Sequence, residues 1–179
     1  MTGPGTLDWR PATGELVAAP VGAALRDLPG VADVRAAGID PDLADTAAFC
    51  ARYEVSLEDS ANCVVIAGRR ADTVRYAACV ILATTRADVN GVVRRRLEAR
   101  KASFAPMDDA VALSGMEYGG ITPIGVPPDW PILIDAAVMA RGDVVIGSGL
   151  RRSKIALPPT VLLQLPGAEV IEGLAAPVA

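Results

Sequence analysis

The sequence predicts a single α/β domain, and three observations indicate this fold class. Apolar, β-branched segments that suit buried strands alternate with segments of helical periodicity. No internal repeat and no linker divides the 179 residues, a length that suits one compact domain with a substantial core. Aromatic residues make up 4% of the chain, so the core must be built from Val, Leu, Ile and Ala, which favours an α/β or α+β domain with no large aromatic binding platform.

The first half of the chain predicts a lead-in, two helices and a buried hairpin. Residues 1–18 are rich in Gly, Pro and Thr and are expected to be extended or partly ordered. We assign residues 1–30 to an N-terminal extension with a short helix and residues 31–179 to the domain proper. The helices are expected over Val21–Leu28 and from Leu43 or Asp45 to Tyr53, and the hairpin strands over Ala61–Gly68 and Thr73–Thr84.

The second half predicts shorter elements around one long loop. Asp88 has the chemistry of an N-cap for a helix that continues to about Arg100, with Val89, Val93 and Leu97 as its apolar stripe. The long loop covers Gly115–Trp130. The remaining expected elements are a strand over Ala102–Ala105, a helix over Asp108–Ser114, strands over Pro131–Asp135, Asp143–Ile146, Ser153–Leu157 and Ala168–Glu172, a helical turn over Ala136–Ala140, and a helix from Pro158-Pro159 to about Leu165.

Composition restricts the chemistry that the chain can perform. It contains no histidine, so a Ser-His or Cys-His nucleophile pair and a histidine metal ligand are all excluded. The three cysteines are widely spaced and form neither a disulfide framework nor a zinc site, and Cys63 and Cys79 lie in apolar segments typical of a core. We therefore expect no metal and no cofactor. Proton transfers would have to use carboxylate, amine, backbone or substrate groups.

Charge and hydropathy indicate the setting of the protein. The net charge is −4, so any contact with nucleic acid would have to use a local patch. The N-terminus has no basic segment followed by an unbroken apolar one, so a signal peptide is not expected. The longest apolar run, Tyr76–Ala83, is much shorter than the roughly 20 residues of a membrane-spanning helix. We expect a soluble, cytoplasmic protein that does not associate with a membrane.

The most informative segment is Gly115–Gly125, with the sequence GMEYGGITPIG. Four glycines and a proline in eleven residues indicate positive φ, tight turning or close approach of a ligand, although an ordinary surface turn has a similar composition. The segment resembles the Gly-Tyr-x-x-Gly-Gly-x-Ser/Thr-Pro-x-Gly loop of the YbaK and prolyl-tRNA-synthetase-associated editing domains, with Tyr118 displaced within it. The order of the neighbouring segments is also similar to that family over residues 30–172.

This resemblance implies a mixed, strongly curved β-sheet surrounded by helices, and an activity. Members of the family hydrolyse the ester between a wrong amino acid and its tRNA, in trans or as a synthetase insertion, without a metal or a covalent nucleophile. The implied partners are the aminoacylated 3′ end of tRNA and an aminoacyl-tRNA synthetase. Backbone N–H groups of the glycine loops would bind the ester carbonyl, and water or the substrate's own hydroxyl or thiol would attack it.

The resemblance also implies which residues form the site. Gly119 and Gly120 would activate the carbonyl, and a second glycine turn, Gly147-Ser148-Gly149, would face the same pocket. Asp135 either accepts hydrogen bonds from the glycine loop or caps the following turn, and we favour capping. The implied substrate contacts are Thr122, Pro123, Asp135, Gly147, Ser148 and Gly149.

The chain departs from the family where the catalytic lysine usually stands. At the start of the buried strand it has Asn62, whose neutral amide offers an ordinary hydrogen bond in place of a charge-assisted one. An asparagine at a strand start also has a simple structural explanation. We hypothesise that Lys154, after the second glycine turn, supplies the missing cation from the neighbouring strand. A solvated lysine on the outer face of its strand is the alternative.

The basic residues of the chain concentrate in two places. Arg94, Arg95, Arg96, Arg100 and Lys101 form the larger cluster, in which Arg96 and Arg100 would share one helix face. Arg151 and Arg152 follow the second glycine turn. Both groups are candidates for phosphate contacts on a tRNA acceptor end, and both are equally compatible with a solvated surface.

Three functions remain open at this point. The first is a deacylase that edits mischarged tRNA in trans by hydrolysing the ester of a small amino acid. The second is a catalytically weakened binding module for tRNA 3′ ends or small amino-acid-like ligands, which the replacement of the lysine by Asn62 keeps open. The third is a hydrolase of another aminoacyl ester. The acidic net charge favours the third over a tRNA substrate.

Overall fold

The computed structural model describes residues 6–178, and in that range the strands divide among three sheets. The helices are α1 (Ala19–Leu25), α2 (Thr46–Tyr53), α3 (Arg94–Arg96), α4 (Met107–Ser114), α5 (Ala136–Met139) and α6 (Pro159–Leu162). The strands are β1 (Arg10–Pro11), β2 (Arg35–Gly38), β3 (Ala61–Arg70), β4 (Thr73–Leu82), β5 (Thr85–Ala87), β6 (Lys101–Phe104), β7 (Ile132–Asp135), β8 (Val144–Gly147), β9 (Ser153–Leu157), β10 (Ala168–Ile171) and β11 (Ala175–Pro177).

The larger sheet has the strand order β10-β7-β4-β3-β6. Strands β3 and β4 form the predicted hairpin, β7 and β10 add to it in parallel, and β6 covers only the second half of β3. The second sheet has the order β1-β2-β9-β8, and β5 pairs with β11. The predicted mixed α/β domain is therefore confirmed, with its strands divided among several sheets.

Strand β4 explains why the hairpin is continuously apolar. Its residues Ala78, Val80 and Leu82 face a large core shared with β7, β8, β9 and α1, whereas Ala77, Cys79 and Ile81 face a second core on the other side. A strand that is covered on both faces needs apolar residues at every position rather than at every second one. The second core includes the predicted stripe residues Val93 and Leu97, with Val89 partly buried beside them.

The helix after Asp88 is shorter than predicted. Asp88 does act as an N-cap, since its carboxylate accepts hydrogen bonds from the N–H groups of Gly91 and Val92. The helix begins as a π-helix over Val89–Val93 and ends with α3 at Arg96. Glu98 then adopts a positive φ of 53°, and the Arg100 N–H donates to the Arg69 carbonyl. The prediction that Arg96 and Arg100 share a helix face was wrong, because the chain turns back to pair with β3.

The N-terminal residues within the described range pack on the rest of the fold. β1 pairs with β2, and Val21 and Leu25 of α1 lie in the large core. The Arg35 guanidinium lies 5.9 Å from the centre of the Trp9 ring. The first five residues of the predicted lead-in lie outside the described residues, and the division at residue 30 stays a prediction.

Candidate active site

A cavity of about 750 Å³ lies where β6 stops pairing with β3. The last hydrogen bond along this edge runs from the Ala105 N–H to the Val65 carbonyl, so residues 61–64 of β3 form an open strand edge that lines the cavity. Backbone groups alternate in direction along a strand, so the N–H and C=O of Cys63 point to the same side as the Val65 carbonyl. The cavity therefore has an unpaired strand edge as one wall.

The two glycine turns meet at this cavity, as the sequence predicts. The Gly149 N–H donates to the Gly120 carbonyl over 2.7 Å, and the Glu117 N–H donates to the Gly149 carbonyl over 2.9 Å. Gly119 of the first turn and Gly147 of the second both line the cavity. The turns thus form one continuous wall.

Contact between the two turns accounts for the glycines at Gly120 and Gly147. A Cβ atom at Gly120 would lie 2.6 Å from the Leu150 carbonyl oxygen, and one at Gly147 would lie 2.5 Å from the Gly120 carbonyl oxygen. These positions are too crowded for any side chain, and the crowding comes from the other turn rather than from a ligand. The sequence indicated that glycine could allow close approach of a ligand. At these two positions glycine is also required for a different reason, because the backbones of the two turns cross there.

The crossing leaves backbone donors without a partner. Among residues 6–178, the Gly119 and Ile121 N–H groups donate to no acceptor, and both residues line the cavity. The Gly120 N–H, by contrast, donates to the Glu117 carbonyl and is used within the turn. Gly119 and Ile121 are therefore candidate backbone donors of this wall.

Lys154 lies inside the cavity wall and not on a solvated outer face. Its side chain is 7% exposed, its Nζ donates to the Ala44 carbonyl over 3.0 Å, and Nζ lies 5.2 Å from the centre of the Phe49 ring. Burial lowers the pKa of this ammonium, opposed by Cys50 and Asp45 and reinforced by Arg151. Lys154 belongs to β9, which is in a different sheet from β3. The sequence-based description of β9 as the neighbouring strand is therefore wrong, because the two strands share a cavity and not a sheet.

Asn62 lines the same cavity from the open edge of β3. Its Oδ1 accepts a hydrogen bond of 2.7 Å from the Thr46 hydroxyl at the start of α2. That bond fixes the amide plane and leaves the Nδ2 group without an acceptor in the described part of the chain. Asn62 and Lys154 thus reach one cavity from two sheets.

Cys63 also lines the cavity, beside Asn62. Burial raises the pKa of this thiol far above its ordinary value, so it stays protonated and is a poor nucleophile. Burial also raises the pKa of Cys79 to about 12, as suits its place in the second core.

Other predicted site residues lie behind the wall. Thr122, Pro123 and Ser148 are buried, and none of them lines the cavity. The Ser148 hydroxyl lies 2.7 Å from the Ser153 hydroxyl and so ties the second turn to β9. Gly149 has a φ of +86° and packs against Ala18. These residues support the site without facing it.

Asp135 does not reach the cavity either. It occupies the N-cap position of α5, but its side chain makes no capping hydrogen bond. Its Oδ1 instead accepts a hydrogen bond of 3.4 Å from the N–H of Ala175, the first residue of β11. The favoured prediction that the carboxylate caps this turn was wrong, because the carboxylate is directed at the C-terminal strand.

The predicted basic residues separate into engaged and exposed ones. Arg94 Nε donates to the Asn90 carbonyl, and Arg96 pairs with Glu169 at 2.8 Å. Arg95, Arg100 and Lys101 are exposed. Arg100 bonds to Arg69, seven residues along β3 from Asn62, or about 23 Å at the usual rise of an extended strand. The exposed cluster is therefore at the far end of the hairpin from the cavity.

Arg151 and Arg152 hold loops together. The Arg151 guanidinium donates to the Tyr118 and Pro41 carbonyls, each over 3.1 Å, and so connects the first glycine turn to the segment before α2. Arg152 donates to the Glu15 carbonyl over 2.8 Å. Both guanidinium groups therefore donate to backbone carbonyl oxygens and hold loop segments together.

The structure adds a rim that sequence reasoning missed. Leu57, Phe104, Met107 and Tyr118 all line the cavity and are all exposed. The sequence motif included Tyr118 but gave no reason to expect its ring at a cavity mouth, and Phe104 carried no signal. Exposure of large apolar side chains depends on where β6 ends, which no local pattern specifies.

A model of the aminoacyl-tRNA editing domain family matches residues 40–165, which include the cavity and both glycine turns. The chain belongs to the aminoacyl-tRNA editing domain family. No curated sequence is a significant match to this editing domain.

Solved structures of similar fold cover most of the chain. A protein described as a candidate trans-editing enzyme for prolyl tRNA synthetase has a TM-score of 0.72 at 19% identity, over 86% of this chain and 93% of that one. A scaffold protein from a study of computational epitope grafting has a TM-score of 0.71 at 18% identity, over 87% and 95%. The hypothetical protein APE2540 has a TM-score of 0.64 at 22% identity, over 74% and 85%. At these identities the structures support the fold alone.

No helix in residues 6–178 of the editing domain is long and apolar enough to cross a membrane.

Proposed function

We propose that this editing domain hydrolyses the ester of a small amino acid mischarged on tRNA, acting in trans. The observation that carries the proposal is the cavity in which Lys154, Asn62 and the two glycine turns come together. Its volume of about 750 Å³ lies within the roughly 300–1,000 Å³ of small-molecule sites. Membership of the editing domain family supplies the substrate class.

The backbone wall would bind the carbonyl of the ester. The free N–H groups of Gly119 and Ile121 suit an oxygen that gains negative charge as water, or the substrate's own hydroxyl or thiol, adds to the carbonyl carbon. The bond to the ribose oxygen then breaks, and this oxygen gains the proton that the attacking group loses. Attack by water releases the amino acid, attack by the substrate's own hydroxyl or thiol releases its lactone or thiolactone, and either leaves a tRNA with a free hydroxyl. The fixed donors need no rearrangement during this step.

Lys154 would supply the positive charge that other members of the family place on β3. Its ammonium is fixed by the Ala44 carbonyl and sits in a largely buried wall, where a charge interacts more strongly than in water. Asn62 would orient the substrate through its free Nδ2 group, with Thr46 holding the amide plane. The catalytic cation would then have moved between sheets while facing the same cavity.

The exposed cluster of Arg95, Arg100 and Lys101 would contact tRNA phosphates. A protein with a net charge of −4 needs such a patch to bind nucleic acid. Its distance of about 23 Å from Asn62 along β3 suits a substrate whose charged backbone extends well beyond the ester. A cytoplasmic location and association with an aminoacyl-tRNA synthetase are part of the same proposal.

One specific observation favours a second function. Asn62 provides no charge at the position of the family lysine, and the buried Lys154 ammonium already donates to the Ala44 carbonyl. The cavity would then bind an aminoacylated 3′ end without cleaving it.

A panel of mischarged tRNAs separates these functions. The pure protein should release a small amino acid from at least one of them, in a saturable and salt-sensitive reaction with multiple turnovers. Binding at comparable concentration without release would establish the binding module. Release of amino acids from simple aminoacyl esters, but from no mischarged tRNA, would establish a hydrolase of another ester.

A further inference from the structure

The aromatic residues of this chain are few, and most of them already have partners. Phe49 and Tyr53 pack with their ring centres 5.3 Å apart, and Tyr76 stacks on Trp130 at 5.5 Å. Trp9 lies under the Arg35 guanidinium. Each of these rings is thereby used in holding the fold together.

Phe104 and Tyr118 differ from the other rings. In residues 6–178 neither has an aromatic or cationic partner, and their exposed fractions are 63% and 58%. Both line the cavity, one from the end of β6 and the other from the first glycine turn. Two separate segments thus bring the two unpartnered rings of the chain to one cavity.

Contact of these rings with water is unfavourable, and a ligand that covered them would gain this free energy on binding. Exposed apolar groups that cluster at a concave surface are typical of binding sites, and Met107 and Leu57 extend this cluster. Two flat rings beside a cavity that also contains the Lys154 ammonium and the Asn62 amide suit a flat partner with a polar attachment. A nucleobase joined to an esterified ribose has this shape, and bases stack on aromatic side chains without requiring a specific sequence.

We propose that Phe104 and Tyr118 form the subsite for the terminal adenine of the aminoacylated substrate. This inference rests on the proposed function and adds the residues that bind the base. The ester lies at the inner wall beside Lys154 and Gly119, and the base lies at the rim. The cavity volume of about 750 Å³ is in the upper half of the usual range, so it can hold a nucleoside as well as a small amino acid.

Two non-hydrolysable analogues test this subsite by calorimetric titration. The first is 3′-alanylamino-adenosine, in which an amide replaces the ester, and the second is the same compound without its base. Phe104→Ala and Tyr118→Ala should each weaken binding of the first analogue by about 5- to 10-fold, the lower part of the range for loss of one base–aromatic stack. Both variants should bind the baseless analogue as the wild type does. Phe104→Trp should retain affinity for the first analogue.

Leu113→Ala is the matched control. Leu113 is also an exposed apolar residue, on α4 near Met107, but it does not line the cavity. This variant should bind both analogues with unchanged affinity. Because all the substituted side chains are exposed, the variants should fold, and circular dichroism of each would verify this.

The outcomes separate the subsite from the catalytic proposal. Ring-dependent binding of the adenosine analogue without hydrolysis of any mischarged tRNA keeps the subsite and refutes the deacylase. Hydrolysis by the wild type, with unchanged affinity in Phe104→Ala and Tyr118→Ala, refutes the subsite alone. A wild type that binds the two analogues equally well also refutes it. So does a Phe104→Ala variant that changes the oligomeric state in light scattering but not the affinity for adenosine.

Discussion

Replacing Lys154 with methionine removes one buried ammonium and keeps a side chain of similar length. The ammonium has one carbonyl acceptor at 3.0 Å and is 7% exposed. If it stabilises charge that develops on the ester, its loss should lower kcat by roughly 100- to 1,000-fold, or about 3 to 4 kcal/mol, as loss of one preorganised group does.

The effect on stability should be much smaller. Methionine avoids the cost of burying a charge, whereas the Ala44 carbonyl loses its donor at a cost of about 1–3 kcal/mol. These changes oppose each other, so we expect the free energy of unfolding to change by only about 1 kcal/mol. A protein stable by about 5–15 kcal/mol stays folded after such a change. Partial unfolding therefore cannot imitate a loss of 100-fold in activity.

The assay is single-turnover release of amino acid from the mischarged tRNA that the wild type hydrolyses best, at saturating protein. Urea unfolding of the same samples gives the stability. Arg26→Met is the matched control, because it removes one exposed positive charge at a residue that does not line the cavity. Deacylation by Lys154→Met at the wild-type rate would refute the relocated cation.

The pH dependence of stability gives an independent measure of the same group. Burial lowers the pKa of Lys154 in the folded protein below the ordinary value of 10.5. Between the folded pKa and 10.5 the unfolded chain binds more protons at this site, so the free energy of unfolding rises with pH in this window. The difference in unfolding free energy between wild type and Lys154→Met should therefore shift in favour of the wild type as pH approaches 10.5. A difference that stays constant with pH would mean that the ammonium is not buried.

Three further predictions follow from the same geometry. Asn62→Lys in the Lys154→Met background should raise the deacylation rate about tenfold or more, because either side chain reaches the cavity. A rate that stays at the level of Lys154→Met would argue against interchangeable positions. Gly147→Ala should lower the free energy of unfolding by about 1–3 kcal/mol in urea titrations, because its Cβ would meet the Gly120 carbonyl, whereas Gly142→Ala, with nothing within 4 Å, should change it little. Arg100→Ala should reduce the salt dependence of tRNA binding by about one unit of slope in log–log plots, and an unchanged slope would remove Arg100 from the phosphate contacts.

The apolar elements could be predicted from the sequence because their patterns are local. Strand β9 has the predicted bounds, and β3, β4 and α2 differ by a few residues at most. Short strands at the margins, such as β2 and β5, were missed, because their pairing depends on partners far along the chain. The helix after Asp88 was overestimated since its end is determined by the bond from Arg100 to β3.

The site was predictable only where a motif specifies backbone shape. The two glycine turns could be located from the sequence. In the fold they meet because glycine at positions 120 and 147 lets their backbones come into contact. The side chains inside Gly115–Gly125 could not be sorted in the same way, since Gly119 lines the cavity while Thr122 and Pro123 lie behind it. Burial within an irregular loop follows no period from which it could be inferred.

Lys154 shows why a missing motif residue does not settle whether the chemistry is lost. Asn62 and Lys154 are far apart in the sequence, and their strands belong to different sheets. In the fold, the open edge of β3 and the beginning of β9 border one cavity, so a charge from either strand would act on the substrate that we propose for it. The electrostatic requirement concerns the position of the charge in the cavity, not its position in the chain. A search for catalytic lysines in such domains should therefore examine every strand that borders the cavity, and rescue of Lys154→Met by Asn62→Lys is the direct test of that equivalence.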